Sequence, residues 1–179
     1  VAAMADPNPL VAGRGLEKLQ AGGVSVECGL LEDEARKLIP GFIARMSRGR
    51  GRVRAKLAMS LDGRTAMASG ESQWITGPAA RQDVQRLRAM SCAIVTGIGT
   101  VLADDCALSV RSGELGLPAA EAELASRSQP LRVVLDSQLQ TPATAKILDG
   151  SAPTLLCHDE RLAVSTAMED SAATLLPLS

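Results

Sequence analysis

Apolar and polar positions change rhythm once along this chain, near residue 53. Before that point the pattern is short-ranged. Val1–Met4 is apolar and runs into Asp6-Pro7-Asn8-Pro9, a dense turn signal. Leu10, Val11, Leu16 and Leu19 follow, interrupted by Gly13 and Gly15. This predicts a short helix from about Gly15 that stops at Gly22-Gly23, where glycine accepts the left-handed conformation that closes helices. Val24 to Cys28 alternates with the period of a half-buried strand. Such a loop–helix–strand unit is too small to stand alone and reads as the tail of a preceding domain. Leu31, Ala35, Leu38, Ile39, Phe42, Ile43 and Met46 then recur at helical spacing, with Pro40 interrupting them. Ser47-Arg48-Gly49-Arg50-Gly51-Arg52 is a basic, glycine-rich connector.

From Val53 the pattern is that of an α/β domain. Val53–Met59 alternates as a strand and ends in the turn Ser60-Leu61-Asp62-Gly63. Thr76 is placed to cap a helix running to about Met90, with Val84, Leu87 and Met90 as its inner stripe. Ala93–Thr96 is a short apolar strand leading into Gly97-Ile98-Gly99-Thr100. Ser112–Gln129 is polar and Ala-rich and reads as an exposed excursion. Leu131–Leu135 and Thr154–Cys157 read as two more buried strands. Strands alternating with helices predict a mostly parallel sheet covered on both faces. Ligands of such sheets bind outside the carboxyl ends of the strands. Three polar segments qualify: Lys56–Gly63, Thr96–Asp105 and Asp136-Ser137.

Composition narrows the partners. Aromatic residues are 1% of the chain, Phe42 and Trp74, so the core must be built from Leu, Val, Ile, Ala and Met. A base-stacking platform for single-stranded nucleic acid is missing as well. With 19 basic against 20 acidic residues, the net charge of −1 predicts no attraction to nucleic acid or anionic membrane. The basic run Arg48–Arg54 therefore reads as a solvated linker. No apolar run approaches the roughly 20 residues of a membrane helix. Cys28, Cys92, Cys106 and Cys157 are scattered, with His158 the single histidine. That spacing predicts no zinc site, and four reduced, mostly buried thiols in a cytosolic protein. Cys157 and His158, adjacent on a strand, point to opposite faces and make no nucleophile–base dyad. Val1 is not an initiator Met, no signal peptide follows it, and Leu176-Pro177-Leu178-Ser179 closes on an apolar run, so the chain is expected to be an internal piece of a longer protein.

Residue by residue, the candidate chemistry stays open. Lys56 on an alternating strand either snorkels to solvent or serves a site. Asp104-Asp105 is a cap, a solvated loop, or an acid or ribose ligand. Arg88 and Arg111 are surface charges or guanidinium forks for a phosphate. The Gly97/Gly99 pair is a tight turn or a phosphate approach, and Leu102 stands where a dinucleotide fingerprint would place its third glycine. Spacing alone reaches an α/β domain with a candidate phosphate-ligand site.

Longer strings go further. Lys56-Leu57-Ala58-Met59-Ser60-Leu61-Asp62-Gly63-Arg64, Gly70-Glu71-Ser72-Gln73-Trp74-Ile75-Thr76-Gly77 and Thr100-Val101-Leu102-Ala103-Asp104-Asp105 closely resemble the reductase domain of the bifunctional riboflavin-biosynthesis deaminase/reductase family. Asp6-Pro7-Asn8-Pro9-Leu10-Val11-Ala12-Gly13-Arg14-Gly15 resembles the last loop and helix of that family's deaminase domain. The resemblance implies a truncated dihydrofolate-reductase-like domain over 51–179, preceded over 1–50 by the end of a cytidine-deaminase-like α/β domain and a linker.

It also implies a cytoplasmic enzyme using NADPH; whether the full-length protein is a homo-oligomer is left open by the sequence. That enzyme reduces the ribosyl group of 5-amino-6-(5-phosphoribosylamino)uracil to ribityl, hydride going to the former anomeric carbon after ring opening. By motif match, Ala58, Trp74, Thr100, Asp104 and Ser137 fall at cofactor positions. Ser72, Arg88, the backbone at Leu108 and Arg111 fall at substrate positions, and Lys56 and Asp104 flank the reacting sugar. Phosphate recognition by arginine forks suits that set. Three departures qualify the match. The deaminase zinc motif lies outside the chain, so zinc is expected only in that missing part. The family's distal glycine-rich cofactor segment and acidic substrate residue are absent. Cys106 stands where the family carries Pro. The rival expectation is a non-catalytic fragment that keeps only a phosphate- or nucleotide-binding surface.

Overall fold

Pro40 splits the helical stretch expected over Leu31–Met46 into two helices, α2 (Glu32–Leu38) and α3 (Pro40–Arg48). At a first helical position the missing N–H of proline has no intrahelical partner to lose. Helix α1 (Arg14–Ala21) ends as expected at Gly22, whose N–H donates to the Lys18 and Leu19 carbonyls at 3.1 Å each. The strand expected over Val24–Cys28 does not form. Only Cys28 bridges to Ala2, with Ala2 N–H on Glu27 O at 2.8 Å and Gly29 N–H on Ala2 O at 3.1 Å. Alternation supplies a face, but a ladder also needs a neighbouring extended segment of matching length. The computed structural model describes all 179 residues, in two compact units, Val1–Leu57 and Ala58–Ser179.

The second unit holds α4 (Pro78–Ala89), β1 (Ala93–Gly97), α5 (Ile98–Asp104), α6 (Ala119–Arg127), β2 (Leu131–Leu135), β3 (Thr154–Asp159), α7 (Thr166–Glu169) and β4 (Ala173–Leu178). The four strands form one parallel sheet in the order β1-β2-β3-β4. Expected strands β1, β2 and β3 are all present. The closing apolar run is itself β4. The expected strand Val53–Met59 joins no ladder and leaves Val53 92% and Leu57 69% exposed. β1 stands first in the sheet order, and that stretch finds no partner row. The turn after it forms as expected, Gly63 at φ 80° donating to Ser60 O at 2.9 Å.

The sheet is covered on one face, not two. Register places Ile94, Arg132, Val134, Thr154 and Leu156 on the covered side. There Val101, Val134, Ala145, Ile147, Leu148, Leu156 and Met168 form an aliphatic core without an aromatic ring. On the other side Val95 is 60% and Leu135 52% exposed, with Leu176 and Leu178 also open. The segment Ser112–Gln129 is no mere excursion. It contains a 3-10 turn (Ser112–Glu114) and α6, and it buries Leu115 and Ala122 with Val110 in a second cluster, against Ala89 of α4 and Ala125 of α6. Its alanines are strong helix formers that allow close approach. Helices α4 and α6 thus build a separate cluster rather than cover the second sheet face.

Two further expectations about α4 change. Thr76 is not the cap: Gly77 holds that position in extended conformation and Pro78 opens the helix. Proline's fixed φ suits the first helical residue, which moves the start one position on. The inner stripe is not apolar either. Gln85 is the buried residue of α4, while Met90 is 72% exposed. Among the thiols only Cys157 is buried; Cys28 and Cys92 are exposed and Cys106 is half-buried. Cys28 and Cys92 lie in connections rather than in the sheet interior.

A charge sits in the core of β2. Arg132 is fully buried, its Nη1 donating to Ala107 O at 3.0 Å and to Asp149 Oδ1 at 3.2 Å, its Nη2 to Ala152 O at 2.7 Å. Its Nε has no partner. At the far end of β2, buried Asp136 accepts from Gln140 N, Thr141 N and Thr141 Oγ1 at 2.9, 2.8 and 2.7 Å. Asp105, left-handed at the end of α5, accepts from Lys146 N at 2.9 Å and pairs with Lys146 Nζ at 3.2 Å. Those contacts hold its carboxyl below the ordinary range, the Lys146 backbone N–H acting most strongly.

Two outcomes follow from this packing. Leu156→Ala should cost about 2–5 kcal/mol in denaturant unfolding, whereas Leu135→Ala on the open face should stay within about 0.5 kcal/mol; equal losses would mean both faces are core. A depressed carboxyl contributes stability above its unfolded value, and that contribution is lost as pH falls through the folded one. Asp105→Asn should therefore lower the neutral-pH melting temperature and flatten its decline between about pH 5 and about pH 2.

Candidate functional site

The segment Asp105–Arg111 has no regular structure, yet side chains from distant positions hold it. Asp105 is tied to Lys146 as described. The Ala107 carbonyl takes the Arg132 guanidinium, and the Ser109 carbonyl takes Arg88 Nη1 at 3.2 Å. Gln129 grips Val110 on both sides, accepting from its N–H at 2.8 Å and donating to its carbonyl at 3.0 Å. Gln85 accepts the Arg111 N–H at 3.2 Å and donates to Glu114 Oε2, also at 3.2 Å. The polar inner side of α4 is explained here: Gln85 and Arg88 face backbone groups that no ladder satisfies. Asp105 (φ 42°) and Leu108 (φ 52°) both take the left-handed conformation that side chains disfavour. Such outliers persist only where the surroundings over-determine them, and they cluster at functional sites.

This strap brings Arg88 and Arg111 together. Arg88 is half-buried, and its pKa is lowered first by that burial and next by the charge of Arg111, with Cys106 and Glu114 opposing. Arg111 is half-exposed and pairs with Glu114 Oε2 at 2.7 Å. Two guanidiniums held within each other's field, one of them partly desolvated, form a site whose electrostatics favour an anion. Cys106 sits in the same strap. Burial pushes its thiol up, the Asp104 charge adds to that, and Arg88 works against it. Asp104, the exposed last residue of α5, is therefore within the electrostatic reach of this cluster.

The remaining sequence candidates are more dispersed. Thr100 is exposed in the first turn of α5, which starts at Gly97 with no side-chain cap, so the glycine pair opens a helix rather than a free loop. Ser137 is exposed just beyond β2, in a groove of about 330 Å³ lined by Leu135, Asp136, Cys157, His158, Asp159 and Leu178. Cys157 and His158 are both buried there without a bond between them; the His158 ring Nδ1 lies 2.9 Å from Asp159 O. A larger groove of about 420 Å³, lined by Met90, Cys92, Leu124 and Gln129 among others, lies near the residues that lead into β1 and β2 and holds none of the candidates. Ser72 is exposed. Trp74 is 70% exposed, stacked by Arg81 at 4.6 Å, and so is not core. Ala58 is half-buried at the start of the second unit, and Lys56 is exposed near the end of the first, on the stretch that forms no strand.

Sequence reasoning missed Gln85, Gln129, Arg132 and Lys146. The one available signal was a charged residue inside the otherwise apolar run Leu131–Leu135, which a buried strand tolerates only with partners.

Comparison with known proteins agrees with this architecture. Residues 52–171 match the family described as the RibD C-terminal domain. The riboflavin biosynthesis protein RibD of Escherichia coli is 54% identical over 149 residues, covering 83% of this chain and 41% of that protein. The Haemophilus influenzae protein of the same name is 49% identical over 161 residues, covering 89% and 43%. Acinetobacter baumannii RibD superposes with a TM-score of 0.83 at 48% identity, over 100% of this chain and 48% of that one. A Thermotoga maritima diaminohydroxyphosphoribosylaminopyrimidine deaminase/5-amino-6-(5-phosphoribosylamino)uracil reductase does so at 0.77 and 28% identity, over 99% and 53%. The chain thus spans between 41% and 53% of the length of these relatives. Its parallel α/β fold is that of their reductase region, and the chain belongs to the RibD C-terminal domain family.

Proposed function

We propose that this chain is the phosphate-clamping part of a riboflavin-biosynthesis reductase, within a longer bifunctional protein. That protein would reduce the ribosyl group of 5-amino-6-(5-phosphoribosylamino)uracil with NADPH. The observation that carries the reading is the Arg88–Arg111 pair on the Asp105–Arg111 strap. A ribose phosphate supplies the dianion that pair lacks, and Ser72 adds a hydroxyl donor. Arg111 reaches the phosphate by exchanging its contact with Glu114, while Arg88 is anchored through Ser109 and holds its geometry.

The donor set suits a nicotinamide dinucleotide. Trp74 offers an exposed ring face, Thr100 a hydroxyl in the first turn of a helix with no side-chain cap, and Ser137 a hydroxyl beside a groove. When bound, that group supplies the hydride; the protein supplies orientation. Asp104, joined to the strap through Asp105, polarises the sugar or carries a proton, and Lys56 is assigned the same kind of role. Ala58 and Asp104 complete the cofactor contacts, and the Leu108 backbone completes the substrate contacts. Residues 1–50 are read as the end of a deaminase domain plus linker, and 51–179 as the N-terminal part of the reductase domain. Zinc belongs to deaminase residues outside the chain. The four free thiols suit the cytoplasm, and the protein is read as binding neither nucleic acid nor membrane. For the chain by itself, the open sheet face and the unpaired Val53–Met59 favour the second reading, a binding surface without turnover.

In the full-length protein, Arg111→Ala should raise the substrate KM about ten- to a hundredfold, the loss of one charge-assisted pair worth about 1.5–3 kcal/mol. The KM for NADPH should not move. Arg111→Lys should recover little of it, because an ammonium cannot reproduce a two-pronged contact. Arg88→Ala should lose at least as much, since it also frees the Ser109 carbonyl. Steady-state kinetics with each substrate varied separately decide this, and wild-type values for both alanine variants would refute the clamp.

A further inference from the structure

Arg132 lies outside every candidate set, and its arrangement poses a physical question. A guanidinium with no exposure is costly in a core, and its single carboxylate partner, Asp149, is itself 42% exposed. Its Nε carries an additional penalty, having no acceptor. Apolar residues of similar size often replace buried ion pairs without loss of stability, so stability alone is a weak reason for this residue. Its remaining bonds go to two backbone carbonyls, Ala107 and Ala152, in separate connections. Both are points where the chain has no ladder to orient it.

The Ala107 contact has a directional effect. A trans peptide is planar, with its C=O and the next N–H pointing opposite ways. Gripping the Ala107 oxygen from inside the core therefore turns the Leu108 N–H away from the core. Leu108 is left-handed at φ 52°, and its N–H donates to no protein group. One residue further on, Arg88 holds the Ser109 carbonyl, so arginines fix the Ala107–Leu108 and Ser109–Val110 peptides, with the Leu108–Ser109 peptide held between them.

We propose that Arg132 is a positioning residue for substrate: by holding the Ala107 carbonyl it presents the Leu108 N–H as a fixed donor to the phosphate clamped by Arg88 and Arg111. This rests on the strap being the substrate-phosphate site. Arg132 touches no ligand itself. It replaces what a sheet ladder would otherwise do for this peptide, which is to set the direction of a backbone donor before the anion arrives.

The test uses the full-length protein with four variants: Arg132→Lys, Arg132→Met, Asp149→Asn and Arg111→Ala. Lysine cannot reach Ala107 and Ala152 together, and methionine reaches neither. Both should raise the substrate KM at least about tenfold, with the KM for NADPH unchanged. Asp149→Asn weakens the same buried pair but leaves the Ala107 contact, so it should lower the melting temperature and leave both KM values alone. A merely structural Arg132 would show melting-temperature losses in all three with unchanged substrate KM, and that result overturns the proposal. Failure of both Arg132 variants to fold does so too, by making the residue a fold determinant only. Arg111→Ala separates the two layers. If it leaves the substrate KM unchanged, the strap is not the phosphate site and the positioning role falls with it. If it raises KM while the folded Arg132 variants do not, the positioning role alone fails.

Discussion

A single buried guanidinium organises the second unit. Arg132 stands on the covered face of β2 and reaches three places the sheet does not: the Asp105–Arg111 strap, the Asp149 carboxylate and the Ala152 carbonyl. Around it the core is aliphatic, so its bonds are the specific contacts in a region that apolar packing would otherwise leave free to shift. Apolar contacts determine how much surface is hidden; they are indifferent to which way a peptide points. Hydrogen bonds to Ala107, Ser109, Val110 and Arg111 supply that direction, each from a side chain far away in sequence.

The sheet was legible in the sequence because its signal is local. Leu131–Leu135 is a short apolar run between turn residues, and it forms β2 with the expected ends. Ala93–Thr96 and Thr154–Cys157 behave alike, extended by one and two residues. Val24–Cys28 and Val53–Met59 carried an equally good alternation and form no strand, because pairing depends on a partner elsewhere in the chain. The helix stripe of α4 failed for another reason. Periodicity assumed an apolar inner side, whereas Gln85 turns inward to satisfy the strap's backbone.

For the candidate site, the arginines were legible as residue types but not in their state. Whether Arg88 and Arg111 were separate surface charges or one cluster could not be read from spacing, since they lie on α4 and on the strap after α5. The structure makes them mutually repulsive neighbours moderated by Glu114. The residues that hold them, Gln85, Gln129 and Arg132, carry no motif. Their roles are defined only by the backbone atoms they meet.

The spatial order of the sheet repeats the order of its strands along the chain. None of these four strands has to be inserted between two that have already paired; each docks on the edge its predecessor leaves open. Parallel pairing is slow because every crossover closes a loop before any ladder forms. Here those closures come in sequence rather than at once, so the sheet can accrete strand by strand from one end. Until the next strand docks, the newest edge is the unprotected one, and it is there that a partly assembled sheet is most open to mispairing.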